Sequence, residues 1–330
     1  MARMNRTIIR NEQAFAAGDA AITDNLPVNP LSFVDVVLRG QNLTLNTLST
    51  LAQQLAALTR IEILLNGSSI ISITPADLLA LQTRLQWAAN LPQPRGITAG
   101  HRWRHLLRVS FSRVPFWLKE GFPATKSGAL QIRYTPAAAF TNVGTVTIHT
   151  EAVEVLDAVF DHYLKYTTLS RTPAATGESD QDLPIGNDLV SLLLFGTTVP
   201  TAGSDNASMR EVRLLIDNQE AFIPRSRWDA LHHDFQSKGD LALWLAEHIH
   251  LENTAAAYAQ NADTLGPRWD AHVLANYGYM DFSPLNTEDY FVPTAGRSQV
   301  KLRINADVAD AQRIIPVERL AVAGAAIAAP

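Results

Sequence analysis

Residues 60–82 read RIEILLNGSSIISITPADLLALQ. Ile61 and Ile63 flank Glu62 with the period of a half-buried strand. Asn66-Gly67 follows, a pair that tolerates the positive φ of a tight type I′ hairpin turn, so the stretch predicts two antiparallel strands. Thr74-Pro75 then opens a helix, because threonine can cap free amides and proline fits the first helical turn. The same pattern returns at 210–233, REVRLLIDNQEAFIPRSRWDALHH. Ile61, Ile63 and Asn66-Gly67 match Val212, Leu214 and Asp217-Asn218 at an offset of 151 (212 − 61). Once one residue is dropped in the turn, Ile73, Leu78 and Ala80-Leu81 match Ile223, Trp228 and Ala230-Leu231 at an offset of 150 (223 − 73). One module is written twice.

The rest of the chain extends the repeat. LSFVDVVLRG at 31–40 has its counterpart in DLVSLLLFG at 188–196. Between strand and hairpin the first half carries TLSTLAQQLAAL (47–58), whose leucines have helical spacing, where the second half has a polar loop, PTAGSDNASM. A helix is predicted over about 75–90, with Leu78, Leu81, Leu85 and Trp87 on its buried side and Pro92 beyond it. Its counterpart spans about 225–235 and leads into an Ala- and Leu-rich insertion, LALWLAEHIHLENTAAAYAQ, read as helix. Strands resume at HRWRHLLRVSFSRV and AHVLANYGYMDFSPL, followed by the pair ALQIRY and QVKLRI, with Ile132-Arg133 against Leu302-Arg303 at an offset of 170. TVTIHTEAVEVL and RIIPVERLAV close the two halves.

Short strands at close spacing, with helices inserted rather than alternating, predict an all-β fold with two tandem eight-stranded jelly-roll sandwiches. The boundaries are an N-terminal arm over 1–26, a first jelly roll over 27–156, a second over 157–322 and a C-terminal tail over 323–330. A length of 330 residues suits two such domains.

Composition narrows the function. With 27 basic and 32 acidic residues the net charge is −5, unlike a nucleic-acid-binding domain. The absence of cysteine excludes disulfides and thiolate metal sites. MARMNRTIIR has no apolar run behind its arginines, so no secretory signal is expected, and no stretch has the roughly 20 apolar residues of a membrane span. Arg3, Arg6 and Arg10 precede the first acidic residue, Glu12, and make the arm a candidate contact for anionic lipid or nucleic acid, against the alternative of a solvated arm.

Candidate chemistry is sparse. In Glu247-His248-Ile249-His250-Leu251-Glu252, His-x-His beside glutamate is what a cupin strand uses to hold a metal, but the helical context sends the two histidines to different faces. Glu178, Asp180 and Asp182 alternate in a Gly/Ser loop and offer oxygen ligands for calcium, or a solvated loop. His101 and His105 continue as strand, and His232-His233-Asp234 lies on a helix where sequence neighbours diverge. Trp103, Trp117, Trp228, Trp244 and Trp269 are scattered in a way that suits packing more than sugar stacking. No G-x-S-x-G elbow or Gly-rich phosphate loop is present. A duplicated sandwich without a catalytic constellation or cofactor motif reads as a structural or binding protein, not an enzyme; the rivals are a duplicated-cupin metalloenzyme and a carbohydrate-binding double sandwich.

IEILLNG (61–67), its echo VRLLIDN (212–218), the helix after each and the tandem architecture over about 27–322 resemble the double jelly-roll major capsid proteins of tailless icosahedral viruses of bacteria and archaea, the tectivirus-, corticovirus- and finnlakevirus-like groups. The resemblance implies a homotrimer, a pseudo-hexagonal capsomer of six sandwiches that tiles an icosahedral shell. It implies partners among neighbouring trimers, penton and minor capsid proteins, an inward-facing arm near membrane lipid or genome, and residence in the virion after synthesis in the host cytoplasm. It carries over no catalytic, metal or cofactor residue.

Overall fold

The structure, a computed structural model, describes residues 3–43, 49–85, 100, 102–201, 203–221, 225–237, 251–254, 257–260 and 274–322. Two compact units divide it: Met1–Leu164 with Gly239–Arg268 and Val322–Pro330, and Lys165–Lys238 with Trp269–Ala321.

In the first unit, β1 (Arg3–Phe15), β2 (Ile22–Asn25) and β3 (Leu31–Asn42) precede α1 (Leu51–Leu55). Then come β4 (Leu58–Leu65), β5 (Ser68–Ile73), α2 (Pro75–Leu85), β6 (Arg102–Ser110), β7 (Leu130–Pro136) and β8 (Val143–Leu156). One sheet has the order β1-β8-β3-β6 and the other β5-β4-β7-β2, which makes an eight-stranded jelly roll. Buried Val34, Val36, Ile61, Ile63, Ile132, Tyr134, Ile148 and Ala152 alternate with polar positions along their strands and form the core. α1 begins with a reciprocal capping box, Thr50 Oγ1 accepting from Gln53 N (3.2 Å) and Gln53 Oε1 accepting from Thr50 N (3.0 Å). Thr74 Oγ1 caps α2 by accepting from Asp77 N at 3.1 Å, with Pro75 in the first turn.

The second unit repeats these neighbours. β9 (His162–Thr167), within which the division falls, and β10 (Leu169–Arg171) lead to β11 (Gly177–Asp182), β12 (Asp188–Gly196), β13 (Glu211–Ile216), β14 (Gln219–Glu220), β15 (Ser226–Arg227) and α3 (Trp228–Ser237). The antiparallel pair β16 (Leu251–Thr254) and β17 (Ala257–Gln260) comes next along the chain but groups with the first unit. β18 (Tyr277–Asp281), β19 (Val292–Pro293), β20 (Val300–Ala306) and β21 (Gln312–Ala321) complete the chain. β21 runs beside β12, which runs beside β18, as β8, β3 and β6 do; β11-β20-β13-β14 matches β2-β7-β4-β5. Leu192, Leu194, Val212, Leu214, Trp228, Met280, Leu302 and Ile314 fill this core.

The duplication extends to residue register. Ile63 lies opposite Ile132, and their counterparts Leu214 and Leu302 lie opposite each other. Both hairpin turns have positive φ at both central residues, 50° and 80° at Asn66-Gly67 and 51° and 65° at Asp217-Asn218. The residue that the second copy lacks is not in the turn, as the alignment suggested. β4 and β5 shift register between Ile63/Ile71 and Leu64/Ser69, so Ile70 is the extra residue of a β-bulge. In the second copy Ala221 N donates to Leu214 O at 3.0 Å and continues the Leu215–Glu220 ladder without a bulge.

Three expectations are corrected. The N-terminal segment is no arm: residues 3–15 are an edge strand paired with β8, Arg3 opposite Leu156, and Ile22–Asn25 pairs with β7. The backbone ladder and the burial of Phe15 tie it down. Residues 157–164 stay with the first unit, since Gly121 N donates to His162 O (2.9 Å) and Leu164 N to Phe111 O (3.0 Å). The stretch at 251–260, read as helix, pairs as the β16–β17 hairpin; Asn253 and Thr254 are poor helix formers. The tail at 323–330 and the end of the first predicted helix beyond Leu85 lie outside the described residues.

Candidate functional site

One network of charged side chains, centred on buried Asp35, crosses the first unit's sheet β1-β8-β3-β6. Arg6 of β1 donates to Glu151 Oε2 of β8 (2.7 Å) and Asp35 Oδ2 of β3 (3.2 Å). Arg108 of β6 grips the same Asp35 through Nε (2.6 Å) and Nη2 (3.0 Å), with its guanidinium 3.8 Å from the centre of the Phe33 ring. The antiparallel register puts Asp35 opposite both Glu151 and Arg108, a charged row on three strands, and Arg6 joins it diagonally from β1, where it lies opposite Val153. His149 Nε2 adds a contact to Glu151 Oε1 at 2.9 Å. Hydrogen bonding to Arg6 holds the Glu151 carboxyl below its ordinary range, and the same bond raises Arg6. Arg10 clasps Asp24, joining β1 to an edge strand of the opposite sheet, and this bond raises Arg10. Arg3 pairs with exposed Asp157 at 3.3 Å. All three arginines expected to meet lipid or nucleic acid thus have carboxylate partners within the chain.

The acidic alternation at Glu178, Asp180 and Asp182 is edge strand β11, not a loop. Asp180 takes both Arg303 donors (2.7 and 3.0 Å), and Glu178 takes Arg213 (2.7 Å). The Arg303 bonds lower Asp180. Asp180 thus answers a cation on the adjacent β20, and Glu178 one on β13 beyond it. Among the described residues no three of His, Asp and Glu gather where they could hold a metal ion.

The sequence reading missed a polar device present in both units. Asn29 Nδ2 donates to Glu154 Oε2 (2.5 Å), and Asn187 Nδ2 donates to Glu318 Oε2 (2.7 Å). Asn29 precedes β3 and Asn187 precedes its counterpart β12, each glutamate is buried near the end of the last strand of its unit, and a register shift lies beside both pairs, at Leu31/Phe33 and Leu189/Ser191. The other carboxylate oxygen meets Thr7 and Asn5 in the first unit and Lys165 in the second. The only sequence trace is an Asn-x-Leu early and a Val-Glu late in each half.

Arg113 and Glu120, each with 1% of its side chain exposed, form a buried ion pair in the β6–β7 loop. Arg113 Nε donates to Glu120 Oε1 (2.8 Å) and Arg113 N to Oε2 (3.0 Å). His105 is buried on Gln54, its Nε2 2.6 Å from Oε1; Gln54 Nε2 donates to Ser49 O, so Oε1 accepts and His105 carries its proton on Nε2. His232 donates from Nδ1 to Tyr277 O (2.7 Å) and accepts at Nε2 from Gln236 (2.8 Å), a structural tautomer, while His233 and Asp234 face solvent. Trp103 lies against Gly40 and Trp228 in the second core, so neither is a sugar platform. His101, Trp87, Trp244, Trp269 and the Glu247–His248–His250 group lie outside the described residues; Glu252 falls on β16. Among the described residues no helix is long and apolar enough to cross a membrane.

No protein-family model matches the sequence, and no curated protein does. The architecture has solved counterparts. The chain is similar to the STIV major capsid protein, with a TM-score of 0.67, 11% identity and coverage of 96% of this chain and 97% of that one. It is similar to the major capsid protein of bacteriophage PM2 (TM-score 0.61, 12% identity, 98% and 99% covered). It is also similar to the PBCV-1 virus capsid (TM-score 0.58, 9% identity, 97% and 94% covered). At these identities the likeness is one of fold: the chain is a double jelly roll over nearly its whole length.

Proposed function

We propose that this chain is the major coat protein of an icosahedral viral shell, a structural protein without a catalytic step. The supporting observation is the pairing of two register-matched jelly rolls in one chain with likeness over nearly the full length of several capsid proteins. Closed cyclic symmetry is the rule for homo-oligomers, and head-to-tail closure needs two different surfaces on each subunit. A tandem duplication supplies them, because the flank of one sandwich can meet the flank of the other in the next chain. Three chains then present six similar sandwiches around one axis, and a threefold molecule occupies sixfold positions of a lattice. Neighbouring trimers, penton proteins and minor coat proteins are the partners such a shell requires, and the virion is where the protein resides, after synthesis in the host cytoplasm.

Mass photometry at micromolar concentration, followed by negative-stain microscopy, tests the proposal. A species of three chains with a hexagonal outline is the expected result. A monomer at every concentration, with no shell-like particle in the source material, overturns it.

A further inference from the structure

One end of the first sandwich carries an apolar tip that its own packing covers only in part: Phe116 meets buried Phe33 edge-on, ring centres 5.1 Å apart, and still stands out from the loop. β3 begins there and β6 and β8 end there, since Phe33 lies opposite Ser110 and Leu31 opposite Glu154. In the β6–β7 loop, Val114-Pro115-Phe116-Trp117-Leu118-Lys119 leaves Phe116 45% and Leu118 53% exposed. Val159 joins from the turn after β8 at 85% exposure, held close by Asp161 N donating to Lys119 O (3.3 Å). Phe116 has φ +64°, a left-handed conformation that a bulky side chain adopts only where its surroundings impose it. Those surroundings are rigid. The buried Arg113–Glu120 pair staples the two ends of the loop, Phe116 N donates to Ser32 Oγ (2.9 Å), and Arg113 lies 4.9 Å from the Trp117 ring centre.

We propose that this tip is a lipid-contact element that enters the headgroup region of a bilayer. Its chemistry favours lipid over a protein partner. Phenylalanine, tryptophan and leucine beside a lysine make an interfacial set, with Lys119 able to reach back to phosphates. The one carboxylate of residues 113–120, Glu120, is turned inward onto Arg113, so the loop itself presents no anion to a bilayer surface. A patch of a few side chains also falls short of the roughly 800 Å² per partner that stable protein interfaces bury. The loop satisfies much of its backbone internally, Trp117 N on Val114 O (3.2 Å), Glu120 N on Trp117 O (3.3 Å) and Ser112 Oγ on Val114 O (2.7 Å), which suits water-poor surroundings. Nearby charges are mixed: Lys119 and Lys126 are exposed, Asp157 is paired with Arg3, and Asp161 is exposed. Apolar insertion, not charge, is therefore the main attraction. The contact needs only these residues and no shell, so it stands or falls apart from the coat-protein proposal.

The test is flotation of the full chain with vesicles of phosphatidylcholine and phosphatidylglycerol in equal parts, with mass photometry in parallel. The wild type floats with the vesicles and stays bound at about 0.5 M salt, where charge attraction is screened. Leu118→Gln with Val159→Gln, two exposed sites, lowers the bound fraction about tenfold without changing assembly. Phe116→Asn, which keeps the left-handed backbone but gives up the ring contact with Phe33, also loses binding. Absence of flotation, release by salt, or undiminished flotation of the variants overturns the proposal. A variant that shifts oligomeric state and leaves flotation unchanged overturns it in favour of a protein occupant.

Discussion

The two sandwiches differ most instructively at one matched site. In the first, Glu62 of β4 lies opposite Arg133 of β7, and the two form an ion pair at 2.7 Å. In the second, the same positions hold Arg213 and Arg303, two cations directly opposed across the ladder. Cross-strand like charges destabilise, so the repulsion has to be answered locally. The answer comes from the edge strands: where β2 has Thr23 opposite Arg133, β11 has Asp180 opposite Arg303, and Glu178 and Glu220 take Arg213. The acids now stand on the two edge strands, β11 and β14. What the duplication holds constant is the backbone register and the charge balance of a row; which strand carries which charge is free to change. The buried side is held more tightly, with Ile63–Ile132 replaced by Leu214–Leu302 and the Asn–Glu pair retained in both copies.

The largest break in the symmetry is the Arg113–Glu120 pair. Glu120→Ala leaves a buried guanidinium without its counter-ion and is expected to destabilise by about 3–5 kcal/mol, while Arg113→Met with Glu120→Leu recovers most of the loss. Hydrogen exchange should show the effect in the first unit; an equal loss of protection in both units would mean that they do not fold as separable halves. Gly40→Ala comes next. A β-carbon there would sit 2.2 Å from the Trp103 ring, against 3.1 Å or more from its neighbours at Gly278 in the second unit. The expected cost is about 3 kcal/mol at Gly40 and nearer 1 at Gly278, measured by denaturant unfolding.

Asn29→Ala and Asn187→Ala probe what the copies share. Each removes one donor from a buried carboxylate, so each should cost about 1–2 kcal/mol. A neutral result at one site alone would show that Thr7 and Asn5, or Lys165, satisfy that glutamate unaided. Deletion of Ile70 should convert the first hairpin to the bulge-free register of the second at about 1 kcal/mol, from the lost packing of one side chain. A cooperative fold with the Ile63–Ile71 pairing intact is the outcome to verify by crystallography. The smallest effect is that of acid. Glu151 and Asp180 have carboxyls depressed by Arg6 and Arg303, so their stabilisation is present above the ordinary carboxylate range near pH 4 and is lost as pH falls through their folded values. Protection factors of the amides along β1 and β11, taken relative to the intrinsic exchange rate at each pH, should fall below about pH 4, each strand losing less than about 1 kcal/mol because both pairs are partly exposed.

The hairpin, the helix after it and the 151-residue offset were legible because apolar period, Asn-Gly chemistry and proline position are local signals. β1 was not. Its one buried side chain is Phe15, and its alternation of arginine, asparagine and threonine looks like a solvated segment until a partner strand supplies the ladder. The Asn–Glu pairs were invisible for a different reason: their members stand 125 and 131 residues apart, and no periodicity joins them.

By itself, then, the sequence determined that one strand–turn–strand–helix module occurs twice in an all-β chain, because turn chemistry and side-chain period act over a few residues. Only the tertiary structure decided which charges meet. The arginines at 3, 6 and 10 and the acids at 178 and 180 had no assigned partner until antiparallel pairing set strands from distant parts of the chain side by side, since an ion pair depends on separation in space and not along the chain.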